Sequence, residues 1–120
     1  MGKFVIRKVQ SGVKFDLFAV NGEKIATSEV YDTLSACRKG MESMIKNVEK
    51  AHFCDLTQGE TAANPRFEIY QDRAGEFRFR LRARNGKVIA SSEGYSGKAG
   101  CLAGVESVRQ NAPIAVIETQ

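Results

Sequence analysis

The sequence predicts an α+β fold made of two tandem strand-strand-strand-helix-strand repeats, and three observations carry that prediction. A set of residues recurs at a fixed shift of 64 positions, the apolar pattern within each copy changes once from period two to helical spacing, and a short polar stretch separates the copies. Asn21-Gly22 returns as Asn85-Gly86, Ile25-Ala26 as Ile89-Ala90, Ser28-Glu29 as Ser92-Glu93 and Tyr31 as Tyr95. Cys37, Gly40 and Asn47 return as Cys101, Gly104 and Asn111. Upstream, Phe4, Ile6 and Gly12 match Phe67, Ile69 and Gly75 at a shift of 63, so a one-residue difference sits in the turn around the two glycines. The stretch from Leu56 to Pro65 has turn-and-loop composition. It divides the chain into a first repeat at 1–56, a linker at 57–65 and a second repeat at 66–120. A piece of roughly 60 residues is marginal alone, so the two repeats are expected to form one compact unit.

Each element follows in order. Phe4-x-Ile6 and Phe67-x-Ile69 open the first strand of each copy. Strict alternation in Phe15-x-Leu17-x-Ala19 and Phe77-x-Phe79-x-Leu81-x-Ala83 marks the second. Asn-Gly then signals a hairpin into a third strand holding Ile25 or Ile89. A two-residue turn would send both isoleucines to the face opposite the Phe/Leu/Ala row. A three-residue turn with Gly22 or Gly86 as the bulge residue pairs Ala19 with Glu23 and returns them to the core, and burial favours that register. Cys37, Met41, Met44 and Val48, and Cys101, Val105 and Val108, then fall at helical spacing. Ser96 is the expected N-cap of the second helix, with Thr33 or Asp32 as its counterpart, and Asn47 and Asn111 suit left-handed helix ends. A last extended piece follows, Ala51-His52-Phe53 in one copy and Ala115-Val116-Ile117 in the other.

The run Ala83-Arg-Asn-Gly-Lys-Val-Ile-Ala-Ser-Ser-Glu-Gly-Tyr95, followed by Gly104-Val-Glu-Ser-Val108 and Asn111, closely resembles the YegP-like family of small bacterial proteins. Ala19-Val-Asn-Gly22, Ser28-Glu-Val-Tyr31 and Gly40-Met-Glu-Ser-Met44 resemble it in the first copy. The resemblance implies a pseudo-two-fold pair of β3-α-β modules forming a single antiparallel sheet, with two helices on one face and the C-terminal strands exchanged between repeats. It implies that single-copy members pair as homodimers, so this chain looks like a covalently joined pseudo-dimer and is expected to be a monomer. No activity, cofactor or catalytic residue comes with the resemblance.

Composition narrows the function classes. The apolar fraction of 42% and charged fraction of 27% are those of an ordinary globular protein. Eighteen Lys and Arg against fourteen Asp and Glu give a net charge of +4, compatible with an anionic partner without requiring one. Phe4-Val5-Ile6 begins an amphipathic strand, so no secretory segment is expected, and no apolar stretch approaches the ~20 residues that span a bilayer. Three scattered cysteines do not make a disulfide framework, and a cytoplasmic protein with free thiols and no membrane partner is expected.

The candidate chemistry is sparse. His52 and Cys54 share one strand face, but two ligands fall short of the three or four that zinc takes, so a surface histidine beside a buried cysteine is the reading, with no metal or cofactor. Cys37 and Cys101 lie on apolar helix stripes, where a thiol packs as a small hydrophobe. Ser28-Glu29 and Ser92-Glu93 lack a shared histidine, because the position matching His52 is Val116. Gly40 and Gly104 lie inside helices, where glycine costs ~1 kcal/mol against alanine, and so mark a close backbone approach. The strongest feature is Arg78-x-Arg80-x-Arg82-x-Arg84, which puts three arginines on the solvent face of one strand with Arg84 entering the turn. Their ~6.7 Å spacing suits the phosphates of an extended single strand, with Tyr70 as a stacking surface. Against this, Glu68 or Glu76 is placed to offset the charges, and the first copy has Lys14, Asp16, Phe18 and Val20 at these positions, with Phe18 and Val20 leaving an apolar spot that suits a protein partner. The expected function is a small non-catalytic cytosolic protein with a binding or structural role. The alternative is a sequence-tolerant binder of single-stranded nucleic acid or another polyanion through residues 78–84.

Overall fold

The computed structural model describes residues 2–120. The first repeat contributes β1 (Lys3–Val9), β2 (Gly12–Phe18), β3 (Lys24–Ser28), α1 (Leu34–Asn47) and β4 (His52–Asp55). The second contributes β5 (Arg66–Gln71), β6 (Phe77–Arg82), β7 (Val88–Ser91), α2 (Lys98–Asn111) and β8 (Val116–Thr119). Short 3-10 turns follow β4 at Leu56–Gln58 and α2 at Ala112–Ile114.

All eight strands join one sheet in the order β4-β5-β6-β7-β3-β2-β1-β8. Within each repeat the three-strand meander is antiparallel, and β3 meets β7 antiparallel at the centre through Thr27–Ser91 and Ser28–Ala90. The expectation of a wholly antiparallel sheet fails at the two edges. β4 runs parallel to β5, and β8 parallel to β1. The helix after β3 carries the chain to the far edge of the other repeat, where β4 runs opposite to β3. Because β3 opposes β7, and β7 and β5 share a direction two strands apart, β4 and β5 run the same way, and β8 and β1 do so by the same argument. The sheet is therefore mixed.

The turns explain the shift of 63 against 64. Val9 pairs with Gly12 across a two-residue turn, while Asp72 and Glu76 enclose three residues with Gly75 in the left-handed region at φ 85°. The Asn-Gly hairpins carry the bulged turn expected from burial: Ala19 N–H donates to Glu23 O and Ala83 N–H to Lys87 O, with Gly22 and Gly86 at φ 86° and 85°. A further bulge at Ile25 and Ile89 turns both Ile and the following Ala inward, so Ile25, Ala26, Ile89 and Ala90 are all buried.

One core lies between the helices and the sheet. Cys37, Met41, Met44 and Val48 of the α1 segment and Cys101, Val105 and Val108 of α2 pack with Phe4, Ile6, Phe15, Leu17, Phe67, Ile69, Phe79 and Leu81 of the strands. Phe4, Phe15, Phe67 and Phe79 are fully buried, each stabilising by about 2–3 kcal/mol. Tyr31 and Tyr95 stack on Phe15 and Phe79 at 6.5 and 6.4 Å between ring centroids. Their rings reach under the helices at the two internal glycines. A Cβ on Gly104 would lie 2.5 Å from Tyr95 Oη, and one on Gly40 would land on Tyr31 Oη. The close approach expected at the glycines is made by a tyrosine side chain, not by another backbone.

Both helix caps depart from expectation in part. Thr33 Oγ1 accepts from Ala36 N–H at the start of α1, but α2 starts at Gly97, the residue matching Thr33, and Ser96 makes no cap bond. Asn47 and Asn111 are not left-handed, since among the described residues no non-glycine residue has positive φ. Their side-chain amides instead donate back to Ser43 O and Ser107 O, one turn earlier.

Candidate functional site

The arginines of β6 stand on the sheet face away from the helices, and the structure brings a different set of residues together around them than the strand pattern alone suggests. Glu68 of β5 lies directly opposite Arg80 and is 1% exposed. Its Oε1 accepts from Arg80 Nε at 2.6 Å and from Arg82 Nε at 2.8 Å, and its Oε2 accepts from Arg66 Nε at 2.7 Å. Three guanidiniums thus converge on one carboxylate. Arg66 Nη1 donates onward to Ala62 O of the linker and Arg82 Nη1 to Gly86 O of the hairpin, so linker and turn fix the outer ends of the cluster. Burial works to raise the Glu68 pKa, but the hydrogen bonds from Arg80, Arg82 and Arg66 outweigh it and bring it down to about 2.

Arg78 is held separately. Its Nε donates to Asp72 Oδ2 at 2.7 Å, while Asp72 Oδ1 accepts from the N–H groups of Ala74 and Glu76 and closes the turn. Arg84 is exposed at the end of the row. Tyr70, expected as a stacking surface for a base, already carries the Arg80 guanidinium at 4.3 Å from its ring centroid. Of the two carboxylates expected to offset the strand, Glu68 takes Arg80 and Arg82, and the partner of Arg78 is Asp72 rather than Glu76. The signal for Asp72 was its place at the head of a Gly-containing turn, where Asp binds backbone N–H groups. The signal for Arg66 was its place two residues before Glu68, on the same face of β5, whereas the Ala62 carbonyl of the linker that holds Arg66 left none.

The first repeat carries a smaller, balanced counterpart. Asp16 accepts from Arg7 Nε at 2.7 Å and from Thr27 Oγ1 at 2.6 Å. Three positive groups on one negative group in the second repeat leave two charges in excess, and one on one in the first leaves none.

The groups that would perform covalent chemistry are otherwise occupied. Cys37, Cys54 and Cys101 are free and buried; burial pushes the Cys101 thiol up to about 11. Cys54 Sγ donates to Glu60 O, and His52 beside it on β4 is exposed. Ser28 and Ser92 accept from the N–H groups of Phe15 and Phe79 and donate to Glu29 O and Glu93 O, so their hydroxyls complete the backbone ladder. Among the described residues no group of three His, Cys, Asp or Glu is placed to hold a metal ion. No helix among the described residues is long and apolar enough to cross a membrane.

The family described as "Domain of unknown function (DUF1508)" matches residues 11–55 and 72–118, one match per repeat. A protein described as "UPF0339 protein in ptx operon 5'region" from Stutzerimonas stutzeri is 70% identical over 47 residues, which span 39% of this chain and 42% of that protein's length. A UPF0339 protein of Treponema denticola is 62% identical over 52 residues, 43% of this chain but 90% of the relative, which therefore holds about one repeat. A UPF0339 protein of Pseudomonas aeruginosa is 35% identical over 112 residues, covering 92% of this chain and 90% of that protein. The solution structure of yegP from E. coli, a protein of unknown function, superposes with a TM-score of 0.83 at 28% identity over 99% of this chain and 92% of that one. With both repeats matched and a relative alike from end to end, the chain belongs to the UPF0339 family of YegP-like proteins built on tandem DUF1508 repeats.

Proposed function

We propose that the chain is a small non-catalytic cytosolic protein with a binding or structural role, organised as a covalent dimer of two repeats whose last strands are exchanged. The observation that carries this reading is the pairing at the two sheet edges: β4 of the first repeat lies on β5 of the second, and β8 of the second lies on β1 of the first. The one-repeat relative of Treponema denticola supports it, because such a chain has to find its missing strand in a second copy. The occupied thiols, hydroxyls and carboxylates support a role without chemistry, and buried free thiols suit a reducing compartment. Residues 64–120 expressed alone are expected to form a folded homodimer, measured by light scattering, since one repeat leaves a sheet edge and an incomplete core. A stable, well-dispersed monomer of that half refutes the exchanged arrangement.

A second reading is favoured by the charge excess around Glu68. Two uncompensated positive charges, with Arg84 exposed beside them, support binding of a polyanion such as single-stranded nucleic acid on the outer face. In that case affinity for a mixed single-stranded pool falls steeply with salt, and changing Arg80 and Arg82 to Ser weakens binding to all sequences alike. Absence of binding at about 50 mM salt, where phosphate contacts are strongest, retires this reading.

A further inference from the structure

The two edges of the sheet are equivalent by the repeat but not by chemistry. At the β4 edge, Asp55 N–H donates to Glu60 Oε1, Glu60 N–H donates back to Asp55 O, and Lys98 Nζ of α2 holds Asp55 Oδ2 at 2.8 Å. Arg109 of α2 adds bonds to Val48 O and Ala51 O just before the strand. The matching positions in the other half are Thr119 for Asp55, Leu34 for Lys98 and Ile45 for Arg109, so none of these fastenings exists at β8. All four β8 residues are exposed, Val116 by 52% and Ile117 by 50%, next to Ile114 at 63%. Val116 and Gln120 donate their N–H groups to Gly2 O and Ile6 O. By alternation, the backbone groups of Ile117 and Thr119 point away from the sheet, which makes β8 an unguarded edge.

We propose that this edge is the docking surface for a second copy of the chain, with β8 pairing antiparallel to β8 across a two-fold axis at Ile117. Charge selects the occupant and the register. Only registers that align outward-facing backbone groups form bonds, and these centre either on Ile117 or on a neighbouring position such as Glu118. Centring on Glu118 places two carboxylates directly opposite each other, which is destabilising. Centring on Ile117 stacks the two exposed isoleucines and sets each Glu118 beside Val116 of the other copy. The inner neighbour of Val116 is Lys3, which already reaches its own Glu118 at 3.4 Å, so the Lys–Glu contacts continue across the axis. A pairing of four or five residues buries less than the roughly 1,200 Å² of a stable complex, so it is a weak association. The chain is monomeric when dilute and dimeric when concentrated.

The test is sedimentation of the full chain together with cysteine cross-linking. The sedimentation coefficient is expected to be that of a monomer at about 10 µM and to move toward the dimer at about 1 mM, as a weak interface requires. Under mild oxidation Ile117→Cys is expected to give a covalent dimer, because an antiparallel pair brings the Cα atoms to ~5.5 Å. Glu118→Cys is expected to give little, since an offset of two residues exceeds the ~7 Å limit for a disulfide. The native thiols are all buried and do not compete. A chain that stays monomeric at about 1 mM leaves the edge to a foreign strand and overturns the proposal. So does Glu118→Cys cross-linking better than Ile117→Cys, or a dimer that survives Ile117→Pro with an unchanged circular dichroism spectrum.

Discussion

Replacing Glu68 with glutamine keeps the size of the side chain and removes the one anion that three guanidiniums share. The carboxyl falls from an ordinary 4.5 to about 2, and at 1.36 kcal/mol per pKa unit its ionised form contributes on the order of 3 kcal/mol at neutral pH. Glutamine resembles the protonated acid, so Glu68→Gln is expected to lower stability by about 3 kcal/mol at pH 7. The sign of the pH dependence is set by a depressed folded pKa. The stabilisation is complete above the unfolded value of 4.5 and is lost as pH falls through about 2, so the two proteins converge in acid. Urea unfolding of both chains at a series of pH values measures this, and the other carboxylates titrate in both and cancel in the difference. A cost below about 1 kcal/mol at pH 7, or a difference that does not narrow toward pH 2, refutes the argument that Glu68 organises the cluster.

Two more outcomes follow from the packing. Gly40→Ala is expected to destabilise by about 1–3 kcal/mol, although alanine is the better helix former, because its Cβ lands on Tyr31. Thermal unfolding measures it, and in a Tyr31→Val background the penalty should vanish or reverse. Lys98→Leu is expected to cost about 2–3 kcal/mol by leaving the buried Asp55 carboxylate with only Thr57. The double change Lys98→Leu with Asp55→Thr copies Leu34 and Thr119 of the other half and should recover most of that loss; additive costs in denaturant unfolding would refute the pairing.

Local features were legible in the sequence where the physics is local. Asn21-Gly22 and Asn85-Gly86 demand left-handed glycine, and burial of Ile25 and Ile89 chooses the bulged turn, so both hairpins follow from residues within a few positions. Gly40 and Gly104 announced a close approach, but the partner, a tyrosine nine residues earlier, emerges only when the helix folds back over β2 or β6. The parallel edges were not legible, because β4 and β8 are short and their sense is set by the strand of the other repeat they lie beside rather than by their own pattern. The arginine row was readable as a solvent-side face with Glu68 as an offsetting charge, whereas the pairing of Arg78 with Asp72 rests on how the turn before β6 closes. Glycine at position 97 ends the likeness with Thr33 at the helix start, and nothing on Ser96 compensates for it.

The linker carries the chain from the end of β4 at Asp55 to the start of β5 at Arg66, two strands that lie side by side and point the same way. The end of β8 at Thr119 and the start of β1 at Lys3 stand in the same relation. A second loop of the linker's length joining them would close the backbone into a ring without disturbing a strand. Such a ring has no first repeat and no last one, and it can be reopened within 57–63 to read β5 to β8 before β1 to β4. Circular permutation at that point should therefore preserve the sheet, and the order of the repeats along the gene is a matter of where the ring is cut.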